Sequence, residues 1–216
     1  MQSQDKFIIF VSDVITPYLR GLRFRKSYLT WNRDKAGFTQ VVNLQISRFV
    51  NPETIRFTIN LGVFYPPVFE AVWGKRVPRF PKEHECCLRV RVGSVIQGDY
   101  SDQATDKWFE IDPSADLTEQ FKEPMYILST KAVPFLDNFT ELTTIAEFLS
   151  KQRDAFSAQP LHSLNLAVIL HELGQSEASL TILRNAYEGY APWRTRCLSV
   201  ARFLKLDMGL GQPRDS

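Results

Sequence analysis

Cysteine is scarce in this chain: three among 216 residues, with Cys86 and Cys87 adjacent and Cys197 far away. Three thiols make a poor disulfide framework, so a reducing cytoplasm is the expected setting and an apolar core the expected source of stability. Long hydrophobic runs are missing too. The first, residues 7–11, is cut off by Ser12 and Asp13 and is too short for a secretory leader. No stretch approaches the ~20 apolar residues of a membrane span, so no membrane partner is expected. There is no glycine-rich phosphate loop, no Gly-x-Ser-x-Gly elbow and no His-Glu-x-x-His helix. His162 and His171 fall about half a turn out of phase on a predicted helix, and adjacent Cys86 and Cys87 on a strand point to opposite faces. Neither pair converges on one ion. Asp99, Asp102 and Asp106 lack the spacing and central glycine of a calcium loop, so no metal or cofactor is expected.

What is present is an ordinary globular composition, 44% hydrophobic and 23% charged, with a net charge of only +2. The distribution is uneven. Residues 20–91 hold fourteen Lys and Arg against five acids, whereas residues 92–112 hold one Lys against five acids. A basic sheet beside an acidic loop favours an anionic partner at modest salt, because long-range attraction speeds and orients encounter.

The clearest pattern lies in residues 54–63, where Ile55, Phe57, Ile59, Leu61 and Val63 alternate with Thr54, Arg56, Thr58, Asn60 and Gly62. Successive strand side chains point to opposite faces, so one face packs on a core and the other meets water or a partner. Val42, Leu44 and Ile46 repeat the inward set against Asn43, Gln45 and Ser47. Cys86, Leu88, Val90 and Val92 repeat it against Cys87, Arg89 and Arg91. Strands are predicted over residues 23–31, 38–49, 54–64, 86–96 and 107–111. The turns at residues 32–37 and 51–53 make the first three an antiparallel meander, and a loop spans residues 98–102.

Helical periodicity flanks the strands. Phe7, Ile8, Val11, Val14, Ile15 and Tyr18 predict a helix over residues 4–20, stopped by a left-handed Gly21, with Pro17 placed to bend its last turn. Asp112 before Pro113 reads as the start of a helix kinked at Pro124, with Leu117, Phe121, Met125, Leu128 and Ala132 on one stripe. Asn138 with Glu141 resembles a capping box, followed by Leu142, Ile145 and Leu149. Three more helices carry Leu164 and Val168, then Leu183, then Cys197 and Val200. The resulting fold class is α+β: an N-terminal helix on an antiparallel sheet of about five strands, a kinked helix and a C-terminal helical cluster. The expected division is an α+β domain over residues 1–155, a helical hairpin-like extension over 156–208 and a disordered tail over 209–216.

A helix ending at Gly21, then Phe24-Arg25-Lys26, Trp31, Arg33, the run Val41-Val42-Asn43-Leu44-Gln45 and finally Asn60-Leu61-Gly62-Val63 resemble a bacterial family known only as a domain of unknown function, number forty-three hundred and four. The likeness covers roughly the first two-thirds of the chain. It implies a fold and a bacterial source, and supplies no activity. The family's usual Gly-Phe-Arg-Lys stands here as Gly21-Leu22-Arg23-Phe24-Arg25-Lys26, two residues longer.

Two surfaces carry candidate chemistry. The outward face, with Asn43, Gln45, Ser47, Arg56, Thr58, Asn60, Arg89 and Arg91, offers oriented donors to an anionic ligand; the alternative is a face whose polar groups are satisfied internally. The segment 64–85 reads as a long connection without regular structure. Its aromatics Tyr65, Phe69, Trp73 and Phe80 interleave with Lys75, Arg76, Arg79 and Lys82, which suits either an acidic protein or single-stranded nucleic acid. Cys87 beside Arg89 and Arg91 is the one candidate nucleophile, with a structural thiol as the competing reading. Binding chemistry without a recognisable reaction centre points to a non-enzymatic module for an acidic protein, immunity-like or regulatory. The second reading is a nucleic-acid binder, and the third a hydrolytic enzyme on the polar face.

Overall fold

The computed structural model describes residues 1–35, 37–47, 53–101, 104–155 and 160–209. In chain order its main elements are α1 (Ser3–Ile9, Phe10–Ile15 and Thr16–Gly21), β1 (Arg25–Ser27), β2 (Thr30–Lys35), β3 (Phe38–Ile46) and β4 (Ile55–Phe64). There follow α2 (Pro66–Trp73), β5 (Leu88–Arg91), α3 (Val92–Gln97), β6 (Phe109–Ile111) and α4 (Leu117–Ile127, Leu128–Ala132 and Val133–Asp137). The last four helices are α5 (Leu142–Ala155), α6 (Pro160–Glu172), α7 (Ser176–Gly189) and α8 (Arg194–Phe203). No helix among the described residues is long and apolar enough to cross a membrane. The chain divides into two compact units: Met1–Tyr65 with Pro78–Thr140, and Pro66–Val77 with Glu141–Ser216.

The first unit is the expected α+β fold. Its sheet runs β1-β2-β3-β4-β5, every pairing antiparallel, with β6 on the far end of β4. Register places Trp31, Val42, Leu61 and Val90 in one row of one face, and Thr30, Asn43, Asn60 and Arg91 in one row of the other. The apolar face buries Phe57 beneath α1, whose Phe7 and Phe10 rings lie 5.4 and 5.6 Å from it. Phe10 in turn meets Phe121 of α4 at 4.5 Å. Arg33 and Gln40 are matched on this face within the unit, whereas the buried Trp31 Nε1 has no hydrogen-bond partner among the described residues. Arg33 donates through Nε to Gln40 Oε1 (2.9 Å), reaches Asp137 Oδ1 (2.5 Å) and stacks 4.4 Å over Phe24. Gln40 Nε2 donates to Leu136 O (2.6 Å) and Phe139 O (3.3 Å).

Both long helices of this unit contain a π turn directly before a proline: Phe10–Ile15 before Pro17, and Leu128–Ala132 before Pro134. A proline ring collides with the carbonyl four residues back, and a widened turn relieves that collision without ending the helix. Pro124, by contrast, is held inside an α-helical stretch.

Several expectations are corrected. The stop after α1 falls at Arg23 (φ 67°), not Gly21: Arg23 N donates to Arg20 O (2.9 Å) and Phe24 N to Leu19 O (3.0 Å), a Schellman closure with arginine in glycine's usual place. The first strand is two strands, with a turn at Tyr28-Leu29, and residues 32–35 extend β2 in place of the expected turn. The sheet therefore has six strands. The strand expected over 86–96 ends at Arg91 and becomes α3, because Gly93 lets its backbone pack on Thr105–Lys107. The helix after residue 112 begins at Leu117, capped by Asp116 Oδ1 accepting from Glu119 N (3.0 Å), while Asp112 holds a turn through Ser114. Asn138 closes α4 and opens nothing. The segment 64–85 contains α2. The expected strand end at residues 48–49, most of the turn at 51–53, Asp102 in the loop at 98–102, and the tail beyond Gly209 lie outside the described residues.

In the second unit, Ile145 and Leu149 of α5, Leu164 and Val168 of α6, Leu183 of α7 and Cys197 and Val200 of α8 are buried as their spacing predicts. Gly174 (φ 78°) closes α6, with Gln175 N donating to Leu170 O (2.8 Å).

Candidate functional site

The polar face of the sheet has one hydrogen-bonded spine. Asn60 Nδ2 donates to Asn43 Oδ1 (3.2 Å) and to Gln45 Oε1 (2.9 Å). Asn43 Nδ2 donates to Thr30 Oγ1 (3.0 Å) and to Leu29 O (3.2 Å). Thr58 Oγ1 donates to Lys107 O (2.8 Å), and Asn32 Nδ2 to Pro81 O (2.9 Å). Asn60 keeps only 3% of its surface, Asn43 is half-buried and Gln45 is exposed. The segments around Pro81–Cys87 and Thr105–Lys107 lie over this face. Cys86 sits on Gly62 so closely that a Cβ there would meet its Sγ at 2.6 Å.

Each guanidinium of the face has a carboxylate partner. Arg89 Nε meets Glu83 Oε1 at 2.7 Å, Arg91 pairs with Asp106, and Arg56 lies 3.8 Å from Glu110 and 5.9 Å over the Trp108 ring. These side chains remain nearly half exposed. Their charge is nonetheless largely neutralised, which explains where the acidic residues 92–112 spend theirs. Cys87, expected to point outward, is buried. Its Sγ donates to Val63 O (3.1 Å), and burial pushes its thiol from 9.0 up to about 12 despite countering backbone hydrogen bonds. Burial likewise holds Cys86 well above the usual thiol range, so neither is a thiolate near neutrality.

The basic aromatic segment is divided between the two units. Trp73 lies on α2 in the second unit, where Arg196 stacks 5.3 Å over its ring and Arg196 Nη1 donates to Val72 O. Lys75 and Arg76, exposed, follow it in that unit, while Arg79, also exposed, belongs to the first. Tyr65 and Phe69, counted as stacking platforms, are buried.

A third surface escaped the sequence reading. β1 is the outer strand of the sheet, flanked by two left-handed residues that are not glycine, Arg23 (φ 67°) and Tyr28 (φ 53°). Tyr28 stands 93% exposed at the tip of the β1–β2 turn. Arg20, Arg23 and Lys26 are exposed and have no salt bridge among the described residues. Arg25 beside them pairs with Asp34 at 2.5 Å. The cationic run is visible in the sequence, but Tyr28-Leu29 at the centre of the turn carries no Gly, Asn, Asp or Pro, so residues 23–31 read as one strand. Asn43, placed in the site for its outward amide, holds the Leu29 carbonyl of this turn from behind.

A family model described as a domain of unknown function, DUF4304, matches residues 15–138. No curated protein and no solved structure matches the chain.

Proposed function

The chain belongs to the DUF4304 family, and from that premise we propose that it is a recognition module for an acidic protein partner, of an immunity-like or regulatory kind. One observation carries this reading. The cations Arg20, Arg23 and Lys26, without a salt bridge among the described residues, lie at the end of α1 and on the strand that leads to a highly exposed Tyr28, while the guanidiniums of the polar face are tied to their own carboxylates. Tyrosine and arginine dominate binding energy at protein interfaces, and unpaired cations steer an acidic partner toward them. Of the face formed by Asn43, Gln45, Asn60, Arg56, Arg89 and Arg91, Asn43 holds this turn through the Leu29 carbonyl, and Gln45 is exposed beside it in β3.

The test is affinity capture from the source cell with the full chain and with the Arg20→Glu, Arg23→Glu, Lys26→Glu variant. Acidic proteins retained by the first and lost by the second support the reading. Retention of polynucleotide, weakening steeply with added salt and unaffected by the three reversals, replaces it with the nucleic-acid alternative.

A further inference from the structure

The β1–β2 register fixes which backbone groups face outward. Ser27 and Thr30 close a two-residue turn, so they exchange hydrogen bonds, and pairs alternate from there. Lys26 opposite Trp31 is thus a non-bonded pair, and its N–H and C=O point away from β2 toward the open edge. β1 has no second strand neighbour, and no backbone bond to Lys26 exists among the described residues outside the helix and strand ladders.

We propose that β1 is a docking edge: an extended acidic segment of the partner adds to it as a further antiparallel or parallel strand, hydrogen-bonding the Lys26 backbone and packing against Tyr28. This rests on the acidic-partner reading and specifies how the partner is held. Strand addition draws affinity from main-chain bonds and specificity from alternate side chains, and here the flanking cations without a salt bridge among the described residues are Arg23 and Lys26, Arg25 being held by Asp34. Lysine on a short edge ordinarily guards against strand addition. The guard is selective by charge: it repels the same edge of a second copy and admits a chain carrying Asp or Glu at alternate positions. Left-handed backbone strains a residue that carries a Cβ. Two such residues bracket a three-residue strand, and glycine at either position removes that strain but also removes a cation or the exposed ring. Strain retained where a cheaper residue is available marks positions whose side chains are used.

The experiment selects random twelve-residue peptides displayed on phage against the full chain, then measures the enriched peptides in solution. Acidic sequences are expected, with slowed hydrogen exchange at the Lys26 amide on binding. Lys26→Ala removes the charge and keeps the N–H; Lys26→Pro removes both. Binding to the proline variant is expected to be at least about tenfold weaker than to the alanine variant, at equal melting temperature, because a main-chain bond is lost. Tyr28→Gly is expected to bind more weakly while melting higher, a combination that a purely structural role does not produce. Acidic peptides that bind both Lys26 variants equally and leave the Lys26 amide unprotected overturn strand addition while the acidic-partner reading stands. Enrichment without acidic bias, equally strong on the Arg20→Glu, Arg23→Glu, Lys26→Glu variant, overturns both.

Discussion

Glycine matters in the first unit where backbone or sulfur approaches it, and the two closest approaches differ in what can yield. At Gly62 an added Cβ meets Cys86 Sγ at 2.6 Å, which rotation about χ1 can move, and Cys86 Cβ at 2.9 Å, which it cannot. At Gly93 it meets Thr105 O at 2.3 Å and Lys107 N at 2.7 Å, which are backbone. Gly62→Ala is expected to cost about 1–3 kcal/mol, the usual range for overpacking, and Gly93→Ala more, as measured by urea unfolding. Cys87 makes a pH argument. Its folded pKa lies above the unfolded one, so its contribution to stability is complete below pH 9.0 and is lost as pH rises toward about 12. Between those limits the unfolded thiol ionises while the folded one stays protonated, and stability falls by at most about 1.4 kcal/mol per pH unit for this group. Unfolding free energies taken from pH 8 to 10.5 are expected to decline less steeply in Cys87→Ala than in the parent chain.

Among elements, the junction of β2, β3 and the end of α4 hangs on Arg33. Its guanidinium is buried between Phe24, Gln40 and Asp137, and its planar fork serves Gln40 and Asp137 together. Lysine cannot reproduce that geometry. Arg33→Lys and Asp137→Ala are each expected to cost about 1–3 kcal/mol, and the double variant less than their sum, in a double-mutant cycle on unfolding free energy. The residues that carried the family resemblance have structural work of this kind: Phe24 under Arg33, Trp31 fully buried, Asn43 bonded to Asn60, Gly62 beneath Cys86. They were legible because strand alternation and buried spacing are local signals. The β1–β2 turn was not, since Tyr28 occupies a conformation that its residue type argues against. The helix within 64–85 opens on Pro66 and Pro67 and runs for only eight residues, so its sequence carries little helical periodicity, although proline fits the first turn of a helix comfortably.

For the molecule as a whole, composition located an excess of positive charge but not which cations were spent. Residues 92–112 supply Asp106 and Glu110 to Arg91 and Arg56, and Glu83 serves Arg89, so the sheet's polar face is closer to neutral than its sequence. The exposed cations with no salt bridge among the described residues include Arg20, Arg23 and Lys26 at the end of α1 and along β1, and also Lys75, Arg76 and Arg79. Association with an acidic partner is therefore expected to slow as salt rises from 50 to 300 mM, with the dependence much reduced in the Arg20→Glu, Arg23→Glu, Lys26→Glu variant, as read from stopped-flow association rates. Arg56, Arg89 and Arg91 are nearly half exposed, yet each already faces a carboxylate.

Trp31 sits directly across from Lys26, wholly screened from solvent, with the Lys26 ammonium 5.5 Å from the centre of its ring. An indole this close to a movable charge is an optical gauge of that charge. When a carboxylate draws the ammonium away, the emission of Trp31 shifts in wavelength or intensity. The strand paired with the outer one thus carries a fluorophore beneath the edge, and occupancy of the edge can be followed without attaching a dye.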